Sequence, residues 1–181
     1  RFGVIESFED PAAAGRLGAA WTRARFQWAE VQPDSPRDWR PPLDDEELAA
    51  ELDAGREVVG LLIGIPDWAR DRRGLPRGLS LPPDDPDNAW AVFVTETVSR
   101  YEGRIDRWII WNEPDIADRS APGHTWDGTL EEFFQLQRVA YLAAKAANPD
   151  AVVHLGAFTY FWDPGYFSRF LDVVAAVARS A

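Results

Sequence analysis

Five times along this chain, a short apolar or alternating run gives way to a stretch with helix-starting signals. That alternation limits the fold more than any other feature. The strand-like runs are Phe2–Glu6, Thr22–Trp28, Val58–Ile63, Ile105–Asn112 and Ala151–Phe158. In the second, Ala24, Phe26 and Trp28 alternate with Arg23, Arg25 and Gln27, the period of a strand with one apolar face. Val58–Ile63 is nearly continuous in apolar residues, as a parallel strand covered on both faces should be.

The helical stretches are marked at their ends. Asp10-Pro11 and Asp163-Pro164 read as an N-cap with Pro at the first helical position, and the first leads into an Ala-rich helix ending near Gly18. Asp44 with Glu47, and Thr129 with Glu132, have capping-box spacing; their helices close at Gly55 and near Ala147. Trp90, Phe93, Val94, Thr97, Val98 and Tyr101 share one helical face ahead of Gly103.

Strand–helix alternation predicts an α/β fold with a parallel sheet. The connections are asymmetric. Those from helix to strand are short, such as Gly55-Arg56 and Gly103-Arg104, whereas Gln27–Leu43, Gly64–Asp87 and Glu113–Gly128 are long. Every long loop therefore leaves the C-terminal end of a strand, where a (β/α)8 TIM barrel assembles its active site. The competing doubly wound sheet calls for a Gly-rich phosphate loop after its first strand. Here that strand runs into the acidic Glu6-Ser7-Phe8-Glu9-Asp10. The expectation is a (β/α)8 barrel of which residues 1–181 carry about the first five βα units, as one partial catalytic domain.

Nine Trp residues need an explanation, and five of them, Trp28, Trp39, Trp68, Trp126 and Trp162, fall in the long mouth loops. Flat amphipathic rings there suit a ligand with flat apolar faces, such as a sugar. The formal net charge of −11 disfavours nucleic acid and anionic membrane as partners. No apolar run approaches the roughly 20 residues that span a bilayer, and nothing resembles a signal peptide. With no Cys and only His124 and His154, no metal site and no cofactor are expected. Met is also absent, so the natural product is expected to be longer.

The chemistry concentrates in Trp111-Asn112-Glu113-Pro114. Glycoside hydrolysis commonly uses two carboxyl groups, one protonating the leaving oxygen and the other attacking the anomeric carbon or activating water. Glu113 follows an apolar strand at its C-terminal tip. A carboxyl there, beside Trp, is partly desolvated, which favours the protonated form a general acid needs. Pro114 should bias Glu113 towards extended backbone. The Asn112 amide can both donate to and accept from sugar hydroxyls.

Trp111-Asn112-Glu113-Pro114-Asp115 resembles the fourth-strand acid/base motif of clan A glycoside hydrolases, a superfamily that includes cellulases, β-xylosidases and α-L-iduronidases. Arg25-Phe26-Gln27-Trp28, continuing to Val31-Gln32-Pro33, is similar to the second-strand segment, and Ile65-Pro66-Asp67-Trp68-Ala69 to the third-strand exit. The resemblance implies a retaining glycosidase with Glu113 as general acid/base. It implies that Asn112 binds the hydroxyl next to the anomeric carbon, that Arg25 orients the nucleophile, and that Trp68 walls the sugar cleft. Trp28, Trp126 and His124 join them as expected substrate contacts. The same analogy tilts an otherwise open cellular location towards secretion.

Plainer readings stand beside these. Arg25 can pair with a strand-end acid such as Glu6, His154 reads as a core histidine, and Asp84–Asp87 as a solvated loop. In clan A the nucleophile lies on strand seven, beyond this sequence. The remaining three βα units are expected outside it, as more of the same polypeptide or as a separate chain. A non-catalytic carbohydrate-binding or pseudo-glycosidase barrel is the alternative to an enzyme.

Overall fold

The computed structural model describes residues 1–180. In chain order these form β1 (Gly3–Ile5), α1 (Pro11–Arg16), β2 (Trp21–Gln27), α2 (Trp28–Val31), α3 (Asp45–Asp53), β3 (Glu57–Ile63), α4 (Ala89–Tyr101), β4 (Arg107–Asn112), α5 (Leu130–Ala147), β5 (Val152–Ala157) and α6 (Tyr166–Ser180). Short 3-10 turns occupy Ser7–Glu9 and Asp67–Ala69. The strands lie side by side in the order β1-β2-β3-β4-β5, and every neighbouring pair is parallel. A doubly wound sheet reverses its order at a switch point. This sheet winds in one direction only, as successive βα units of a barrel do.

The expected caps hold the helices. The Asp10 side chain accepts from the Ala13 N–H at 2.9 Å, with Pro11 opening α1. Both capping boxes form, Asp44 with Glu47 and Thr129 with Glu132. Asn88, unforeseen in the sequence, caps α4 by accepting from Ala91 N–H at 3.1 Å. Several boundaries move. Trp28 opens α2 instead of ending β2, and Ile105 is buried in the turn before β4. α6 begins at Tyr166, because Asp163 turns its side chain onto the Gly165 N–H and its carbonyl onto the Tyr166 N–H, at 3.2 and 3.0 Å. His154 is exposed on the edge strand β5, not in the core, since no further strand among the described residues covers it.

The two faces of the sheet differ in what they meet. Ala24, Phe26, Val58, Leu62, Trp108 and Ile110 pack under the helices. Gly60 makes room for the Trp108 ring: a Cβ there would lie 2.2 Å from it. Phe26 then meets Tyr101 and Trp108 edge-on at 5.0 and 5.4 Å. Such pairs add about 0.5–1.5 kcal/mol each beyond the area they bury. The opposite face, which points inward in a barrel, mixes the aliphatic Val59, Leu61 and Ile63 with Arg23, Arg25 and Arg107. No described helix is long and apolar enough to cross a membrane.

A buried charged network ties the first crossover to the second. Arg56, just before β3, donates twice to Glu51 of α3, at 2.6 and 2.9 Å, and Ser7 Oγ donates to the same carboxylate. The Glu51 and Arg56 side chains are 0% and 5% exposed. Burial works against the Glu51 carboxylate, but the hydrogen bonds from Arg56 and Ser7 and the Arg56 charge outweigh it and hold the carboxyl below its ordinary range. Removing one partner strands the other charge in the interior. Glu51→Gln is therefore expected to lower unfolding free energy by about 3–5 kcal/mol at pH 7, measured by urea denaturation. In the native protein this stabilisation is complete above the unfolded carboxyl value of about 4.3 and disappears as pH falls through the lower folded value. A Gln variant with unchanged acid denaturation would refute the assignment.

Candidate active site

The exit of β4 is shaped by two residues in left-handed backbone, Trp111 at φ 71° and Glu113 at φ 54°, on either side of Asn112. Left-handed geometry costs a side-chain-bearing residue roughly 1–2 kcal/mol. Pro114 does keep Glu113 out of the right-handed helical region, but the expected extended conformation gives way to this turn. Gly156 on β5 makes the turn sterically feasible. A Cβ at that position would meet the carbonyl oxygens of Ile110 and Trp111 at 2.6 and 2.8 Å.

The turn is tied down from two sides. Glu113 N–H donates to the Ala157 carbonyl of β5 at 2.8 Å, carrying the ladder past the strand's end. The loop then folds back, so that Thr125 Oγ1 donates to the Asn112 carbonyl at 2.8 Å and accepts from Trp111 Nε1 at 3.1 Å. Asp115, only 2% exposed, accepts the Thr159 N–H at 2.9 Å and the Thr159 hydroxyl at 2.5 Å. The β4 and β5 exits are thereby locked together. Asn112 and Glu113 are half-buried at the C-terminal end of the sheet. No side-chain hydrogen bond engages the Glu113 carboxylate among the described residues.

His124 and Trp126 return over this site on the same loop. His124 Nδ1 lies 2.7 Å from the Ile116 carbonyl, and Nε2 lies 3.3 Å from Asp127, which also pairs with Arg119 at 3.0 Å. Trp126 is buried, edge-on to Trp111 at 5.4 Å and to Phe133 at 5.7 Å. Both residues line a cavity of about 170 Å³ that reaches across to Gln27, Gly64 and Arg70. Glu113 and Asn112 do not line that cavity.

The β2 and β3 residues sit differently from expectation. Trp28 is fully buried, stacked on Phe93 at 4.8 Å, with its Nε1 bound to Gln32 at 2.8 Å. It supports the mouth from below and offers no face to a ligand, which corrects its assignment as a substrate contact. Trp68 is half-buried; its Nε1 donates to the Gln32 carbonyl at 2.7 Å and its ring meets Trp28 edge-on. Arg25 pairs with Glu30 at 3.5 Å, an exposed and therefore weak contact. Glu6, its alternative partner, shares with Arg25 a cavity of about 210 Å³.

Sequence reading missed the residues that shape this site. Gln32 binds Trp28, Trp68, the Pro36 carbonyl and Glu96; Thr125, Asp115 and Gly156 hold the β4 exit. Gln32 and Asp115 lay inside the quoted motifs; Trp28 and Pro36 are four positions from Gln32, but Trp68 and Glu96 are 36 and 64 away and Thr159 is 44 from Asp115, so no local spacing marks these long-range contacts.

No family model matches the chain, and no curated protein matches it. Solved structures do. The chain is similar to a family 39 glycoside hydrolase from the gut symbiont Bacteroides cellulosilyticus, with 18% identity and a TM-score of 0.60 over 95% of this chain and 36% of that one. It is similar to a xylanase from Paenibacillus barcinonensis, with 16% identity and a TM-score of 0.63 over 99% and 56% of the two chains. A β-glucosidase from Thermotoga maritima follows at 18% identity and a TM-score of 0.55, over 83% and 37%. The chain thus spans between 36% and 56% of the length of these structures. Its fold is that of part of a glycosidase-like TIM barrel, and these structural neighbours are glycoside hydrolases.

Proposed function

We propose that this chain is the N-terminal part of a retaining O-glycosyl hydrolase in which Glu113 is the general acid/base. The observation that carries the reading is the strained β4 exit. Two left-handed residues, paid for by the surrounding ladder and loop contacts, hold a carboxyl at the end of a parallel strand where barrel enzymes do their chemistry. An ordinary solvated loop acid needs no such support.

In this reading Glu113 protonates the leaving oxygen and then, as carboxylate, draws a proton from the water that releases the sugar. The adjacent Asn112 amide holds the hydroxyl next to the anomeric carbon. Arg25, on the inward face of β2, orients the nucleophile. That second carboxyl has to sit roughly 5–5.5 Å from Glu113, and it comes from a seventh strand in the rest of the barrel, on the same polypeptide or a separate chain. The unpaired edges of β1 and β5 support that completion. So do the exposed apolar side chains Ile5, Leu155, Leu171 and Val174 near them. Carbohydrate is the partner; the acidic surface does not suit nucleic acid.

In the intact protein, Glu113→Gln is expected to cut aryl-glycoside hydrolysis by about 10²–10⁴-fold while sugar binding persists. A Gln variant as active as the parent, or a parent that binds sugar without hydrolysing any glycoside, would overturn the enzyme reading. Gly156→Ala tests the geometry. It is expected to cost about 1–3 kcal/mol of stability from the overlap with two carbonyl oxygens. It should also lower kcat by ten- to a hundredfold in the still-folded variant, because Glu113 is displaced. Full activity in a folded Ala variant would mean that the tight turn does not position the carboxyl.

A further inference from the structure

The loop that follows Glu113 leaves the sheet and comes back to it, and both of its ends lie on the strained turn. On the way out, Ile116 N–H donates to the Glu113 carbonyl at 3.4 Å, and the Ile116 side chain is buried. On the way back, Gly123 runs beside the carboxyl itself: a Cβ built on it would lie 3.7 Å from Glu113 Oε2. Thr125 Oγ1 then donates to the Asn112 carbonyl and lies 3.4 Å from the Glu113 carbonyl. His124 sits between these two returning contacts. Ala117–Ser120, on the outer part of the loop, is exposed.

The His124 ring joins the outgoing and returning strands of this loop. The Ile116 carbonyl can only accept, so Nδ1, 2.7 Å from it, carries the proton and donates. That single bond closes the loop across eight positions. The other nitrogen, Nε2, lies 3.3 Å from Asp127 Oδ1, and Arg119 holds the same oxygen at 3.0 Å. The β3 loop crowds this carboxylate from the other side: a Cβ on Gly74 would lie 3.2 Å from Asp127 Oδ2. The His124 side chain is 14% exposed, and both of its nitrogens face groups of the protein. A histidine that recognised a sugar hydroxyl would keep one of them free.

We infer that His124 is a positioning residue: its Nδ1–H latches the loop so that Gly123 lies against the Glu113 carboxyl and Thr125 on the carbonyl before it. It acts on the reaction only through Glu113, so this role rests on the glycosidase reading; the latch itself does not. With backbone packed along one oxygen, the carboxyl has fewer ways to turn. A proton donor displaced by about 1 Å loses much of its effect. The loss falls on bonds that need the proton, since a leaving group that departs readily as an anion gains little from a general acid.

The test compares the intact protein with His124→Asn and His124→Gln, because an Asn amide reaches the place of Nδ1 and a Gln amide that of Nε2. The substrates are phenyl and dinitrophenyl glycosides of the sugar the parent cleaves. His124→Gln is expected to lower kcat/KM about tenfold for the phenyl glycoside and less than about twofold for the dinitrophenyl one. His124→Asn should bring the phenyl value back to within about threefold of the parent. No loss in the Gln variant, or equal losses on both leaving groups, overturns the inference. So does a Gln variant more active than the Asn variant, as a substrate contact through Nε2 would give. A parent that cleaves no glycoside defeats the glycosidase reading and the positioning role with it, and amide hydrogen exchange then decides the latch. The Glu113 and Ile116 amides should exchange about tenfold faster in the Gln variant and at the parental rate in the Asn variant, whereas equal rates in all three refute it. If the Gln variant does not fold, NMR of the parent imidazole serves instead: a solvent-protected proton on Nδ1 supports the latch, and an unprotonated Nδ1 refutes it.

Discussion

The close approach of β4 and β5 at their C-terminal ends is the contact on which the rest of the candidate site depends. The ladder brings Gly156 under the carbonyls of Ile110 and Trp111, and the missing side chain lets Trp111 turn left-handed. That turn sends the indole into the layer between sheet and helices, where it meets Trp90 at 6.1 Å and Trp126 at 5.4 Å. The aromatic layer in turn anchors the long loop that folds back over the strand end. One steric allowance thus links strand pairing, core packing and the direction in which Asn112 and Glu113 leave the sheet.

The aromatic residues divide into two populations, and the division is energetic. Trp28, Trp90, Trp108, Trp111 and Trp126 are structural: they are buried in the core, and most satisfy their indole N–H locally. Gln32 is the polar centre of that arrangement on the β2 side, accepting from Trp28 and Trp68 while its amide reaches Glu96. Tyr160, Phe161 and Trp162 contribute little to this layer. They remain at the mouth because the Asp115–Thr159 clamp fixes the chain before them. The same clamp joins the two loops, so the Glu113 turn and the aromatic triplet share one rigid support.

Much of the architecture was legible in the order of residues. Cap residues, period-two and period-3.6 patterns and the inequality of loop lengths pointed to parallel βα units wound in one direction, because these features act over fewer than ten residues or so. Boundaries slipped where local and tertiary preferences conflicted. Trp28 has strand parity yet opens a helical turn, since its ring is held by Phe93 and Gln32. Asp163-Pro164 carries a helix-start signal, but Asp163 spends its side chain on Gly165 and Arg169, and α6 starts later. His154 looked like a core residue because its strand is apolar, and lies exposed because that strand is an edge.

By itself, the sequence determined the succession of strands and helices, the barrel-like winding and the strand-end location of Glu113. These follow from hydrophobic period and chain stiffness, which neighbours along the chain share. Only the tertiary structure decided which tryptophans are core and which are surface. It also decided that Trp111 and Glu113 are left-handed, and that Thr125, Asp115 and Gly156 hold them so. Those outcomes depend on atoms brought within contact distance from elements dozens of residues apart, and a carbonyl oxygen that forbids a Cβ leaves no trace in local spacing.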